Sequence, residues 1–213
     1  VGIQLFGHGA VGTFSALPGM IDSTRAELDP ETQLKADVGA WWDLEKLGRL
    51  TATGFYTYRI DGVRITRNFD TLFTDDGRDT LLVPVHENVD MTTAGIELEV
   101  KTARLADVLQ GFGNATFMSH RRWDGESFVE DTEKPRTIVG GGMNLFLGKF
   151  DINVYGKYVS EYESRRFAPR GSDPQPLGQY STLDITAGYT YLLESGTRFR
   201  VSLAAENITY ERY

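Results

Sequence analysis

Two segments carry paired arginines beside an aromatic ring. "HRRWDGESF" holds Arg121, Arg122 and Trp123, and "ESRRFAPRGSDP" holds Arg165, Arg166 and Phe167, with Arg170 following. Guanidinium forks match the paired oxygens of carboxylate, catecholate-like and phosphate groups. Both segments are therefore expected to meet an anionic ligand, although a solvated loop or a contact to lipid phosphates accounts for them too. "FTDDGRD" gathers Asp75, Asp76 and Asp79 but lacks the bidentate Glu that closes a calcium loop; an exposed Asp-Gly turn explains it. His86 follows in the same stretch, and an acid–His pair is the start of hydrolytic chemistry only if a fold brings the two together. No nucleophile elbow and no glycine-rich phosphate loop occur. Cysteine is absent and the histidines are far apart at His8, His86 and His120, so neither a disulfide framework nor a thiolate metal site is available. The expectation is a binding protein, not an enzyme, with no catalytic residue, metal ligand or cofactor.

The elements that must hold these arginines are strands. A formal net charge of −8 argues against a nucleic-acid groove, which needs a basic face. The mean hydropathy is −0.31, and no run of about 18 apolar residues exists to form a membrane helix. Apolar residues instead recur at every second position. Leu34, Ala36, Val38, Ala40, Trp42 and Leu44 alternate with Gln33, Lys35, Asp37, Gly39, Trp41 and Asp43. The same period of two runs through Ala94, Ile96, Leu98 and Val100; through Phe150, Ile152, Val154, Gly156 and Tyr158; through Leu183, Ile185, Ala187, Tyr189, Tyr191 and Leu193; and through Phe199, Val201, Leu203 and Ala205. Weaker strands are expected at 48–60, 111–120 and 136–147, and a short one at 1–6, about nine in all.

Alternation alone also suits a soluble sandwich, with its apolar face packed on a core. Three features select lipid. Most segments reach the roughly 9–11 residues that a tilted strand needs to cross the hydrocarbon layer. Connections alternate between short (45–47, 104–110, 148, 194–196) and long (7–32, 61–90, 121–135, 163–179), as in transmembrane barrels with short periplasmic turns and long extracellular loops. Aromatic residues fall at both strand ends: Trp42, Phe150, Tyr191 and Phe199 beside the short turns, and Tyr58, Tyr158, Tyr162, Tyr180 and Tyr210 beside the long loops. The reading is an all-β, antiparallel transmembrane β-barrel in the outer membrane of a Gram-negative bacterium, with the long loops extracellular. Nine is an odd count for a finished bacterial barrel, and with no export signal read at the start, a fragment or a mature piece lacking its N-terminal part is expected. The expectation is one partial barrel domain over 1–213, about nine strands of a larger barrel. Lys35, Asp37, Glu97, Glu99, Lys101, Asp151, Lys157, Asp184, Arg198, Arg200 and Glu206 would face its lumen as a ladder of ion pairs.

Three passages resemble the C-terminal barrel of TonB-dependent outer-membrane receptors. "ELDPETQLKADVGAWW" is similar to that family's loop-to-strand passage at Pro30, Glu31, Asp37 and Gly39; "AGIELEV" to its Gly-hydrophobic-Glu strand at Gly95, Ile96 and Glu97; and "LAAENITYERY" to its penultimate strand at Asn207, Ile208 and Tyr213. The resemblance implies a 22-stranded barrel around an N-terminal plug that contacts the TonB complex. Neither the plug nor its TonB box is read in this chain, and its end is expected to be truncated one strand early, after Tyr213. It also implies TonB-coupled uptake of a scarce ligand such as a ferric siderophore, haem or cobalamin, with outer-membrane lipid and lipopolysaccharide as neighbours and no nucleic acid. Alternatives are a passive outer-membrane channel or smaller complete barrel, a barrel-borne surface hydrolase and a soluble β binding protein.

Overall fold

The computed structural model describes residues 2–14, 28–73, 80–164 and 174–209, the side chains of 65–73 and 80–85 excepted. Nine strands lie side by side in chain order, each antiparallel to the next. They are β1 (Gly2–Phe14), β2 (Glu31–Asp43), β3 (Gly48–Phe73), β4 (Thr80–Thr102), β5 (Leu109–Trp123), β7 (Thr137–Leu147), β8 (Phe150–Val159), β11 (Tyr180–Leu192) and β12 (Arg198–Ala205). A short β6 (Phe128–Glu130) folds back on the end of β5, and β9 (Glu163–Ser164) pairs with β10 (Gln175–Pro176) in a separate ribbon. No helix occurs among the described residues.

The period-two pattern becomes two faces. On one, Val38 stands opposite Gly54, Gly54 opposite Ile96 and Ile96 opposite Phe117. Further along, Met143 meets Val154 and Val154 meets Ile185. On the other face the rows are polar, as in Gly39–Thr53–Glu97–Thr116. The apolar face has no protein against it: Val38 is 67% and Ile96 54% exposed in mid-sheet, and Leu203 on β12 is 78% exposed. Only Met91 and Val159 are buried apolar side chains among the described residues. A single sheet without a second layer cannot be the soluble sandwich that alternation also allowed, because nothing covers its oily side.

The short connections fall where expected. Residues 148–149 join β7 to β8 with Gly148 at φ 65°, and 193–197 join β11 to β12 with Gly196 at φ 82°. These left-handed values come without strain only for glycine. The long connections differ from expectation. β1 runs on to Phe14 although Gly7 and Gly9 interrupt its apolar side, because glycine still pairs through its backbone with Val38 and Ala36. The stretch 61–90, expected as a loop, is mostly paired strand: β3 and β4 continue through Phe73 and Thr80. Beyond the apolar band nothing imposes alternation, so pairing there leaves no periodic trace. This hairpin reaches about 40 Å past Ile60 at 3.4 Å per residue.

Within the polar face, tight sites are filled by rings. A Cβ on Gly39 would stand 2.5 Å from Phe6 Cζ, and one on Gly95 would stand 2.6 Å from Phe55 Cζ. Each glycine makes room for a phenyl ring from the neighbouring strand, as in designed sheets where an aromatic shields a bare backbone. Ion pairs appear along this face, among them Arg49–Asp43 at 2.7 Å, Lys35–Asp37 at 3.4 Å and Arg200–Asp151.

A charged hollow at the long-loop end

The expected arginine pair at 121–122 does not act as one group. β5 continues to Trp123, so the expected loop starts later, and alternation sends the two side chains to opposite faces. Arg121 stands opposite Thr92 and Glu130, in the row that continues the apolar face, and Trp123 shares that side. Trp123 packs edge-on against Phe128 at 5.4 Å, and Phe128 lies 6.4 Å from Tyr58. Arg122 stands opposite Met91 on the polar face. Arg165, Arg166, Phe167 and Arg170 lie outside the described residues, as do Asp75, Asp76 and Asp79. His86 sits on β4 and His120 on β5, and His120 Nδ1 is 2.9 Å from the Thr93 hydroxyl.

On the polar face at the same end, a hollow is lined by Arg59, Val63, Arg64, Met91, Asp131, Glu133 and Lys134. Strands β3 and β4 supply Arg59, Val63, Arg64 and Met91, and the segment after β6 supplies the rest. Every cation has a carboxylate beside it. Arg59 Nε is 3.7 Å from Glu31 Oε1, Arg64 lies 3.7 Å from Glu87 and 3.3 Å from Glu133, and Lys134 Nζ is 3.7 Å from Asp131. The segment is anchored by the Asp131 N–H donating to the His120 carbonyl at 2.9 Å. Partly exposed ion pairs of this kind are worth about 0–1 kcal/mol. Exchanging one carboxylate for the paired oxygens of a ligand is therefore cheap, and a fork-on-fork contact favours it. Met91, one of the two buried apolar side chains, forms the floor. Such a hollow offers a ligand charge and shape. Arg59, Arg64 and Lys134 were not among the residues singled out from sequence. Their one signal was the Asp61-Gly62 pair inside a strand pattern, which marks a bulge as well as a turn.

Farther along the polar face, His8, Lys35, Asp37, Thr57 and Glu97 line a second hollow on the wall.

Comparison with known proteins accords with this geometry. The profile of the family described as TonB dependent receptor-like, beta-barrel, matches residues 4–208. No curated protein matches the chain. Among solved structures, the copper transporter OprC superposes with a TM-score of 0.72 at 14% identity, over 99% of this chain and 32% of that one. The ferric enterobactin receptor PfeA of Pseudomonas aeruginosa gives 0.66 at 13% identity, over 99% and 33%. The siderophore receptor PirA of Acinetobacter baumannii gives 0.64 at 15% identity, over 97% and 35%. The chain spans about a third of the length of these structures. They are receptors and transporters, and at these identities they establish a shared fold. With an unclosed antiparallel sheet, an apolar face with no protein against it among the described residues and a profile match over nearly its whole length, this chain belongs to the TonB-dependent receptor β-barrel family, whose barrels lie in the Gram-negative outer membrane.

Proposed function

We propose that these strands are part of the barrel wall of a receptor for TonB-coupled uptake of a scarce ligand, such as a ferric siderophore, haem or cobalamin. The chain forms one partial barrel domain. The apolar face meets outer-membrane lipid and the acyl chains of lipopolysaccharide, and the polar face meets a plug domain through which the TonB complex acts. The long-loop end is extracellular, and the hairpin that runs far past the apolar band supports that orientation. The observation that carries the reading is the position of Arg59, Arg64 and Lys134 at the polar mouth, where an anionic chelate on its way to a plug must pass. Arg122 lies on the polar face at the same end, and Arg165, Arg166, Phe167 and Arg170 are proposed as further contacts to the ligand. Arg121 and Trp123, on the outward side, instead suit lipopolysaccharide phosphates.

The test is binding by the plug-containing receptor in detergent, using a panel of ferric tris-catecholate, ferric hydroxamate, haem and cobalamin. One probe should bind, and Arg59→Ala with Arg64→Ala should weaken it at least tenfold, about 1.4 kcal/mol. Binding that ignores both substitutions removes the hollow from the ligand's path. Failure of the receptor to bind any probe counts against the uptake reading.

A further inference from the structure

We infer that Asn88 and Asp90 are positioning residues: they hold a one-residue bulge at Asp61 and so decide that Arg64, not Val63, stands in the polar-face row opposite Glu87. The inference rests on the hollow being where ligand arrives. Below the bulge Arg59 pairs with Met91, and above it Gly62 pairs with Val89. Three steps on β3 are matched by two on β4, so β3 carries one extra residue. Without the bulge, strict alternation from Arg59 would turn Asp61, Val63 and Ile65 to the polar side and Arg64 away. With it, Arg64 stands opposite Glu87 and reaches Glu133 across the hollow.

The extra residue is gripped on both backbone groups. Asp61 sits at φ 55°, a left-handed value that Asp tolerates better than most side chains. Its N–H donates to Asp90 Oδ1 at 3.1 Å, while the Tyr58 hydroxyl donates to Asp90 Oδ2 at 2.7 Å. Its carbonyl accepts from Asn88 Nδ2 at 2.5 Å. Asn88 also accepts from the Asp29 N–H at 2.8 Å and donates to the Asp29 carbonyl at 3.0 Å, tying the entry to β2 into the same clasp. A bulge left to itself can migrate along a hairpin; two side chains that satisfy one residue's amide and carbonyl fix its place. The result is a charge choice. A shift of the bulge beyond Arg64 exchanges a guanidinium for an isopropyl group opposite Glu87.

The chain has no cysteine, so paired cysteines can report the facing directly. In the receptor expressed in an outer membrane, a short bifunctional thiol reagent should join Arg64→Cys to Glu133→Cys in high yield and Val63→Cys to Glu133→Cys in low yield. Deletion of Asp61 removes the bulge and the extra residue together, leaves Arg64 four positions after Arg59 on the same face, and should keep the order of the two yields. Asn88→Ala with Asp90→Ala should lower the first yield at least threefold and raise the second. The register pair Thr53→Cys and Glu97→Cys, below the bulge, should cross-link equally throughout. An unchanged ratio of the two yields in the Asn88→Ala, Asp90→Ala receptor overturns the inference. Loss of the Thr53–Glu97 cross-link as well would make the clasp a general staple of the hairpin, and that also overturns it. The cross-links need no ligand, so they stand or fall separately from the uptake reading.

Discussion

At the tip between β5 and β6 the Asp124 carboxylate accepts hydrogen bonds from the backbone N–H groups of Ser127 at 2.9 Å and Glu126 at 3.0 Å. These two bonds hold its carboxyl below the usual carboxylate range. A depressed pKa means that the contribution is present above the ordinary Asp value of about 3.9 and is lost as pH falls through the lower folded value. The Glu126 and Ser127 amides should therefore keep constant protection from hydrogen exchange at neutral and mildly acidic pH, then lose it at strongly acidic pH, and Asp124→Asn should abolish that step. On the wall, Gly39 offers a second single-residue test. A methyl there meets Phe6 Cζ at 2.5 Å and the Ala52 carbonyl at 2.6 Å, so Gly39→Ala should cost about 1–3 kcal/mol through overpacking. Gly54, in the neighbouring strand but on the apolar face, has its nearest atom at 3.8 Å, and Gly54→Ala should lie within about 1 kcal/mol of neutral, on the stabilising side. Urea unfolding of the receptor in lipid vesicles compares the two.

At the scale of the strand, facing decides tolerance. Val38 and Leu203 project from the apolar face, whereas Lys35 lies on the polar side beside Asp37. Val38→Arg or Leu203→Arg places a charge in hydrocarbon and should cost about 2–4 kcal/mol near the midplane. Lys35→Ala should stay within about 0.5 kcal/mol, the ordinary range for a surface change. An assay of heat-stable barrel assembled in membranes should rank them in that order, and equal effects would reverse the facing assigned to β2 and β12. Facing also explains why the Arg121–Arg122 pair reads differently in a strand and in a loop. In a loop both guanidiniums can converge on one ligand; on β5 the 180° alternation separates them. The sequence concealed that split: between Phe117 and Trp123 the residues are mostly polar and show no alternating apolar side, so the strand was expected to end at His120.

For the whole molecule, the controlling fact is an open sheet. Among the described residues β1 and β12 each have one strand neighbour, and in lipid the unpaired backbone of such an edge costs several kcal/mol per group. The isolated chain should therefore sediment as aggregates in plain buffer and become dispersed only with detergent or further barrel strands. A stable monomer in buffer with Val154, Ile185 and Val201 protected would mean the apolar face packs on protein after all. Alternation, connection lengths and aromatic placement were enough to lay out nine strands, their two faces and the short connections, because facing writes itself into every second residue, and three short passages carried the likeness to the receptor family. The mouth was decided only in three dimensions. There the chain leaves the apolar band, periodicity loses its physical cause, and cross-strand register takes over. One extra residue at Asp61, held by side chains from β4, determines which charges converge, and no local pattern in β3 records the strand it is paired with.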